Sequence, residues 1–216
     1  MSADILKHAL RTSASLALFA VVGTALLALT YLATKDTIAA TEQKAKLTLI
    51  GQILPPALYD NDLLKDAATL PATPQLGTSA PTAIYRAYQN GQPSAAVLEA
   101  IAPDGYGGKI KTIIAVRADG TLSGVRVVTH NETPGLGDYI EITKSKWIDL
   151  FRGKSLSNYS EQDWKVKKDG GKFEHMAGAT VTPRAIVKAV HKALQFFDAN
   201  RDRIFTLPAT SQEQTK

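Results

Sequence analysis

The sequence predicts an α+β fold: a single N-terminal transmembrane helix, then a domain with an antiparallel sheet and flanking helices. Three observations predict it. Thr12 to Thr34 runs without a charge; two pairs of β-rich segments flank Asn90-Gly91 and Asp119-Gly120; and apolar residues recur at helical spacing after Pro183.

The elements follow in chain order. Residues 1–11 form a short N-terminus, and residues 12–34 form the span. Leu16, Leu18, Phe19, Val21, Val22, Leu26, Leu27 and Leu29 supply its apolar surface, and a helix of that length reaches roughly 34 Å, enough to cross a bilayer core. A cleaved signal peptide would have a shorter apolar core and a small-x-small site after it, and none follows here, so the sequence reads as an uncleaved anchor. Lys7 and Arg11 precede the span and Lys35, Lys44 and Lys46 follow it, so basic residues alone do not orient it.

Residues 35–80 read as a membrane-proximal helix and connector. Ile38, Ala45, Leu49, Ile50 and Ile53 carry the helix on to Pro55-Pro56, which stops it. Leu58, Tyr59, Leu63, Leu64 and Leu70 make the connector apolar enough to wrap onto the domain. Residues 81–207 form that domain. Segments 83–89 and 95–101 pair across Asn90-Gly91, and segments 109–117 and 121–129 pair across Asp119-Gly120. A helix is expected over 138–146, followed by 147–151, and a short hairpin over 164–167 and 172–174. Thr182 is expected as N-cap and Pro183 as first residue of a final helix reaching about Asn200, built on Ile186, Val190, Ala193, Leu194 and Phe197. Residues 208–216 are a polar, mobile tail.

The net charge of +5 is modest and dispersed, which argues against a nucleic-acid partner. The chain has no cysteine, excluding disulfides, thiolate-held iron–sulfur clusters and covalent c-type haem. Its four histidines, His8, His130, His175 and His191, do not form a metal-ligand motif. No catalytic nucleophile, base or triad is visible.

Three segments stand out from the rest. Gly178-Ala179-Thr180 followed by Val181-Thr182-Pro183 places a threonine hydroxyl at a helix N-terminus, where a phosphate is favoured. His130-Asn131-Glu132-Thr133-Pro134-Gly135-Leu136-Gly137-Asp138 and Gly105-Tyr106-Gly107-Gly108 precede it. Together they resemble the FMN-binding domains that carry covalent flavin, with their Gly-Tyr-Gly-Gly loop, Glu-Thr-Pro-Gly-Leu-Gly loop and Asp-x-x-Ser/Thr-Gly-Ala-Thr pattern. Glu174 stands at the Asp position and Ala177 at the Ser/Thr position. With the anchor included, the resemblance is closest to the G subunits of Rnf-type electron-transport complexes.

The resemblance implies FMN bound by a phosphoester to Thr180, installed from FAD by a flavin transferase. It implies cofactor contacts from Tyr106, Gly107, Glu132, Thr133, Gly135, Leu136, Gly137, Gly178, Ala179 and Thr182. Gly135 and Gly137 would let backbone approach the flavin and offer N–H groups, Glu132 and Thr133 would give polar contacts, and Leu136 would cover a ring face. Tyr106 would stack on the ring or anchor its loop, or else pack into the core. Trp147 and Phe151 read as core, and Lys154, Lys172 and Arg184 as solvated or charge-compensating.

The resemblance further implies an electron-carrier subunit in a complex coupling ferredoxin and NAD to ion movement. Its partners would be flavin-bearing and iron–sulfur subunits, and it would sit in a bacterial inner membrane with its C-terminal domain on the periplasmic side. The sequence also admits the C subunit of a sodium-pumping NADH:quinone oxidoreductase, a stand-alone membrane-anchored FMN-domain reductase, and an anchored scaffold without cofactor.

Overall fold

Two hairpins, closed at Asn90-Gly91 and Asp119-Gly120, form the body of the sheet in a computed structural model that describes residues 3–210. Strands β1 (Ala68–Leu70), β2 (Thr82–Gln89), β3 (Gln92–Gly105), β4 (Gly108–Arg117) and β5 (Leu122–Thr129) lie side by side in chain order, all antiparallel. At Asn90-Gly91 both residues have positive φ, 52° and 74°, which matches the right-handed strand twist. β1, only three residues long, is a strand the sequence does not announce. A third tight turn, Gly105–Gly108, joins β3 to β4 and puts Tyr106 at its tip.

Strand register gives the sheet two apolar faces. Ile84, Leu98, Ile114 and Val125 are cross-strand partners on one. That face packs with helix α2 (Val181–Thr206), which lies across β3 and β4 and buries Ile186, Val190, Ala193, Leu194 and Phe197. Tyr85, Val97, Ala115 and Gly124 align on the opposite face. There Ile53 sits against Gly124, so close that a Cβ would lie 2.8 Å from its Cγ2, and the Ser123 hydroxyl donates to the Ile53 carbonyl at 2.5 Å. Buried Arg86 secures the far end of α2: its guanidinium donates to the Phe205 and Leu207 carbonyls, acceptors that a helix C-terminus leaves open, and also to the Asp66 carbonyl of the connector.

Helix α1 (Ala3–Ile53) runs unbroken to the Pro55-Pro56 stop. The chain divides into two compact units, Met1–Leu47 and Thr48–Lys216. In the first, Ile5–Ile38 is long and apolar enough to cross a membrane. In the second, the last residues of α1 join the core through Ile50 and Ile53, and the connector buries Leu63 and Leu70.

Three local expectations are corrected. Residues 138–146 do not form an α-helix; a 3-10 turn, Asp138–Ile140, is followed by irregular turns and a second 3-10 turn, Trp147–Phe151. Side chains compete for the backbone here: the Ser145 hydroxyl donates to the Tyr139 carbonyl at 2.8 Å and accepts from the Trp147 N–H at 3.0 Å. Residues 164–174 are not a hairpin; a single parallel bridge joins Val166 to Phe173 around the 3-10 turn Lys167–Asp169. The final helix begins at Val181 with Thr180 as N-cap, so Thr182 is not the cap, and it continues to Thr206. Pro183 remains within the first turn, where its missing N–H costs nothing. Of the tail, Thr210 donates its N–H to the Ala67 carbonyl at 2.7 Å; residues 211–216 lie outside the described residues, as do residues 1–2 of the N-terminal segment.

Candidate functional site

The three motif loops meet at one carboxylate. Glu132, 4% exposed, accepts the Gly107 N–H on Oε1 at 3.0 Å and the Thr182 hydroxyl on Oε2. Its own N–H donates to His130 Nδ1 at 3.0 Å, so the imidazole proton sits on Nε2, which faces Glu141 at 2.8 Å. The loops close tightly around it. A Cβ at Gly137 would lie 2.9 Å from Glu132 Oε2, and one at Gly107 would lie 1.9 Å from the Asn131 carbonyl oxygen. These glycines are therefore required by protein–protein contact. Glu132 serves as an internal anchor, where sequence reasoning expects a polar contact to a ligand.

The 133–138 loop is also closed upon itself. The Thr133 carbonyl accepts the N–H groups of Leu136 and Gly137, at 3.1 and 2.9 Å, and Asp138 Oδ1 accepts that of Gly135 at 2.8 Å. The N–H groups of Gly135 and Gly137 thus have partners within the loop. Thr133 and Leu136 remain exposed on its outer side.

The segment before α2 is a tight turn. The Ala179 N–H donates to the Met176 carbonyl at 3.1 Å, and Gly178 holds φ 84°, which a side chain would strain. Two buried aromatics support this turn, a role the sequence does not reveal. The Tyr139 hydroxyl accepts the Met176 N–H at 3.4 Å and donates to the Ala179 carbonyl at 3.3 Å. Trp147, edge-on to Tyr139, donates Nε1–H to the Glu174 carbonyl at 2.7 Å. Burial pushes the Tyr139 phenol above its ordinary pKa, which keeps it a neutral donor and acceptor.

Thr180 and Thr182 differ sharply. Thr182 is buried and its hydroxyl is committed to Glu132. Thr180 is half-buried at the mouth of α2, and its hydroxyl makes no capping bond. Outside α1, the exposed large apolar residues among those described are Tyr106, Leu136, Leu150, Met176 and Val181; Tyr106, Leu136 and Met176 lie in the three motif segments before α2, and Val181 opens α2. Tyr106 is 74% exposed, so core packing is not its role. Trp147 and Phe151 are core, as the sequence suggests.

The three cations singled out in the sequence are engaged with other partners. Arg184 holds Asp169 through two 2.5 Å contacts, which lower the carboxyl pKa and raise that of the guanidinium. Lys154 lies over the Tyr159 ring at 4.5 Å, and Lys172 reaches both that ring and Asp163.

Comparison with known proteins matches residues 105–195 to the FMN-binding domain family and residues 1–53 to the RnfG N-terminal region. The chain is 50% identical to the G subunit of the ion-translocating oxidoreductase complex of Pseudomonas aeruginosa, across 94% of this chain and 95% of the relative. The corresponding Aliivibrio fischeri protein is 46% identical across 92% and 94%. That of Vibrio cholerae is 44% identical across 92% and 95%.

Proposed function

The chain belongs to the family of G subunits of ion-translocating oxidoreductase complexes, and from that premise we propose that it is a membrane-anchored electron carrier holding FMN as a phosphoester on Thr180. It is a single-pass membrane subunit with an FMN-binding domain, working among other subunits. The match covers anchor and domain together, which favours this family over the C-subunit and stand-alone alternatives.

The observation that carries the attachment is the contrast between the two threonines. Of the two, only the Thr180 hydroxyl is both accessible and uncommitted. The exposed apolar side chains of Tyr106, Leu136, Met176 and Val181 would suit a planar aromatic ring system, and a phosphate on Thr180, the N-cap of α2, would meet the helix N-terminus. Attachment is group transfer from FAD by a flavin transferase. The Thr180 oxygen bonds to the flavin-side phosphorus, the pyrophosphate P–O bond breaks, AMP leaves, and the hydroxyl proton passes to a base of the transferase.

Bound FMN would supply reversible electron transfer; the protein supplies position and electrostatics. A covalent tether keeps the flavin in place where no free pool refills the site, which fits a domain on the periplasmic side of the inner membrane. A single span does not enclose an ion path, so ion movement belongs to partner subunits, and the flanking electron carriers include flavin and iron–sulfur subunits.

A denaturing gel viewed under ultraviolet light tests the attachment. With the flavin transferase co-expressed, the wild-type band is expected to fluoresce and the Thr180→Val band to be dark. A dark wild-type band contradicts the proposal.

A further inference from the structure

Glu132 is buried, and its two carboxylate oxygens are taken by protein donors from two other segments, the Gly105–Gly108 turn and the first turn of α2. We infer that Glu132 is a positioning residue: it locks the Gly105–Gly108 turn to the first turn of α2, so that the Tyr106 ring and the Thr180 hydroxyl are presented together to one flavin nucleotide. This rests on the reading of Thr180 as acceptor.

The geometry leaves the carboxylate little else to do. A buried carboxylate is tolerated only where donors replace its hydration, and here a backbone N–H and a threonine hydroxyl do so. Oε1 holds Gly107, the residue after Tyr106. Oε2 holds Thr182, two residues after Thr180. Gly137 presses on the carboxylate from a third side, one residue after exposed Leu136. His130 fixes the backbone at residue 132. Gly107, Thr182 and Gly137 thus each neighbour one of the exposed apolar side chains or the acceptor itself. Gly105 and Gly137 leave the space this one side chain needs: a Cβ on either would lie 2.7 or 2.9 Å from a Glu132 carboxylate oxygen.

Glutamine separates this role from a direct one. Its amide oxygen accepts from Gly107 and its amide N–H donates to the Thr182 hydroxyl, preserving the strut without the charge. The full-length protein is compared in two measurements: amide hydrogen exchange without flavin, and the initial rate of flavin attachment with FAD and purified flavin transferase. In Glu132→Ala, exchange at the Gly107 amide should rise about tenfold or more, and attachment should slow by a similar factor. Glu132→Gln should stay close to wild type in both. Should the alanine variant fail to fold, Thr182→Val should lose the same protection and rate, and Thr182→Ser should restore them.

The inference is overturned if Glu132→Gln attaches flavin as slowly as Glu132→Ala. It is also overturned if Thr182→Val matches wild type in exchange and rate. If the wild type takes up no flavin while the exchange pattern holds, the acceptor reading fails and the strut stands.

Discussion

Two threonines two positions apart have opposite fates because one faces the protein and the other faces out. Thr182 turns inward to Glu132, and Thr180 keeps its oxygen free of any capping bond. The motif makes Thr180 legible from sequence. The Glu132 network was not legible, since its partners lie 25 and 50 residues away and nothing in a linear pattern spells them. The Trp147 indole is similar: its type and burial were readable, its bond to the Glu174 carbonyl was not. Trp147→Phe should lose that bond together with part of the buried ring, costing about 1–3 kcal/mol in a urea titration.

His191 gives a pH dependence at the same scale. It stacks flat on Trp164 at 5.1 Å, and burial lowers its pKa below the ordinary 6.5, although nearby Glu161 pulls the other way. The unfolded chain therefore takes up the proton first. This contribution to stability is complete above the ordinary imidazole value and is lost as pH falls through the folded one. Thermal melts between about pH 8 and pH 5 should show a smaller drop in Tm for His191→Phe than for wild type.

At the scale of elements, legibility followed the strength of local signals. Asn90-Gly91 and Asp119-Gly120 dictate their turns, and both hairpins form where the sequence puts them. The expected helix at 138–146 is absent because Ser145 gives the backbone a competing partner, an interaction that apolar periodicity does not register. β1 was invisible because three residues carry no period. Gly124 on β5 admits Ile53, so Gly124→Ala should push the end of α1 from the sheet and destabilise the domain by about 1–3 kcal/mol, read by chemical denaturation.

At the scale of the whole molecule, an apolar tether and a folded unit are separable. Thr48 onward contains both faces of the sheet, the connector and α2. A fragment from residue 48 should be soluble without detergent and melt cooperatively within a few degrees of the full-length protein. A fragment that aggregates or melts without cooperativity would mean that residues before 48 are needed for folding.

Electron carriage by this subunit depends on the bond at Thr180. Mass spectrometry of the tryptic peptide from Phe173 to Arg184, taken from protein in its native membrane, tests it most directly, because fragmentation separates Thr180 from Thr182. The peptide should be heavier by FMN less one water, with the added mass on Thr180. A peptide of unmodified mass, or a flavin localised to Thr182, would contradict it.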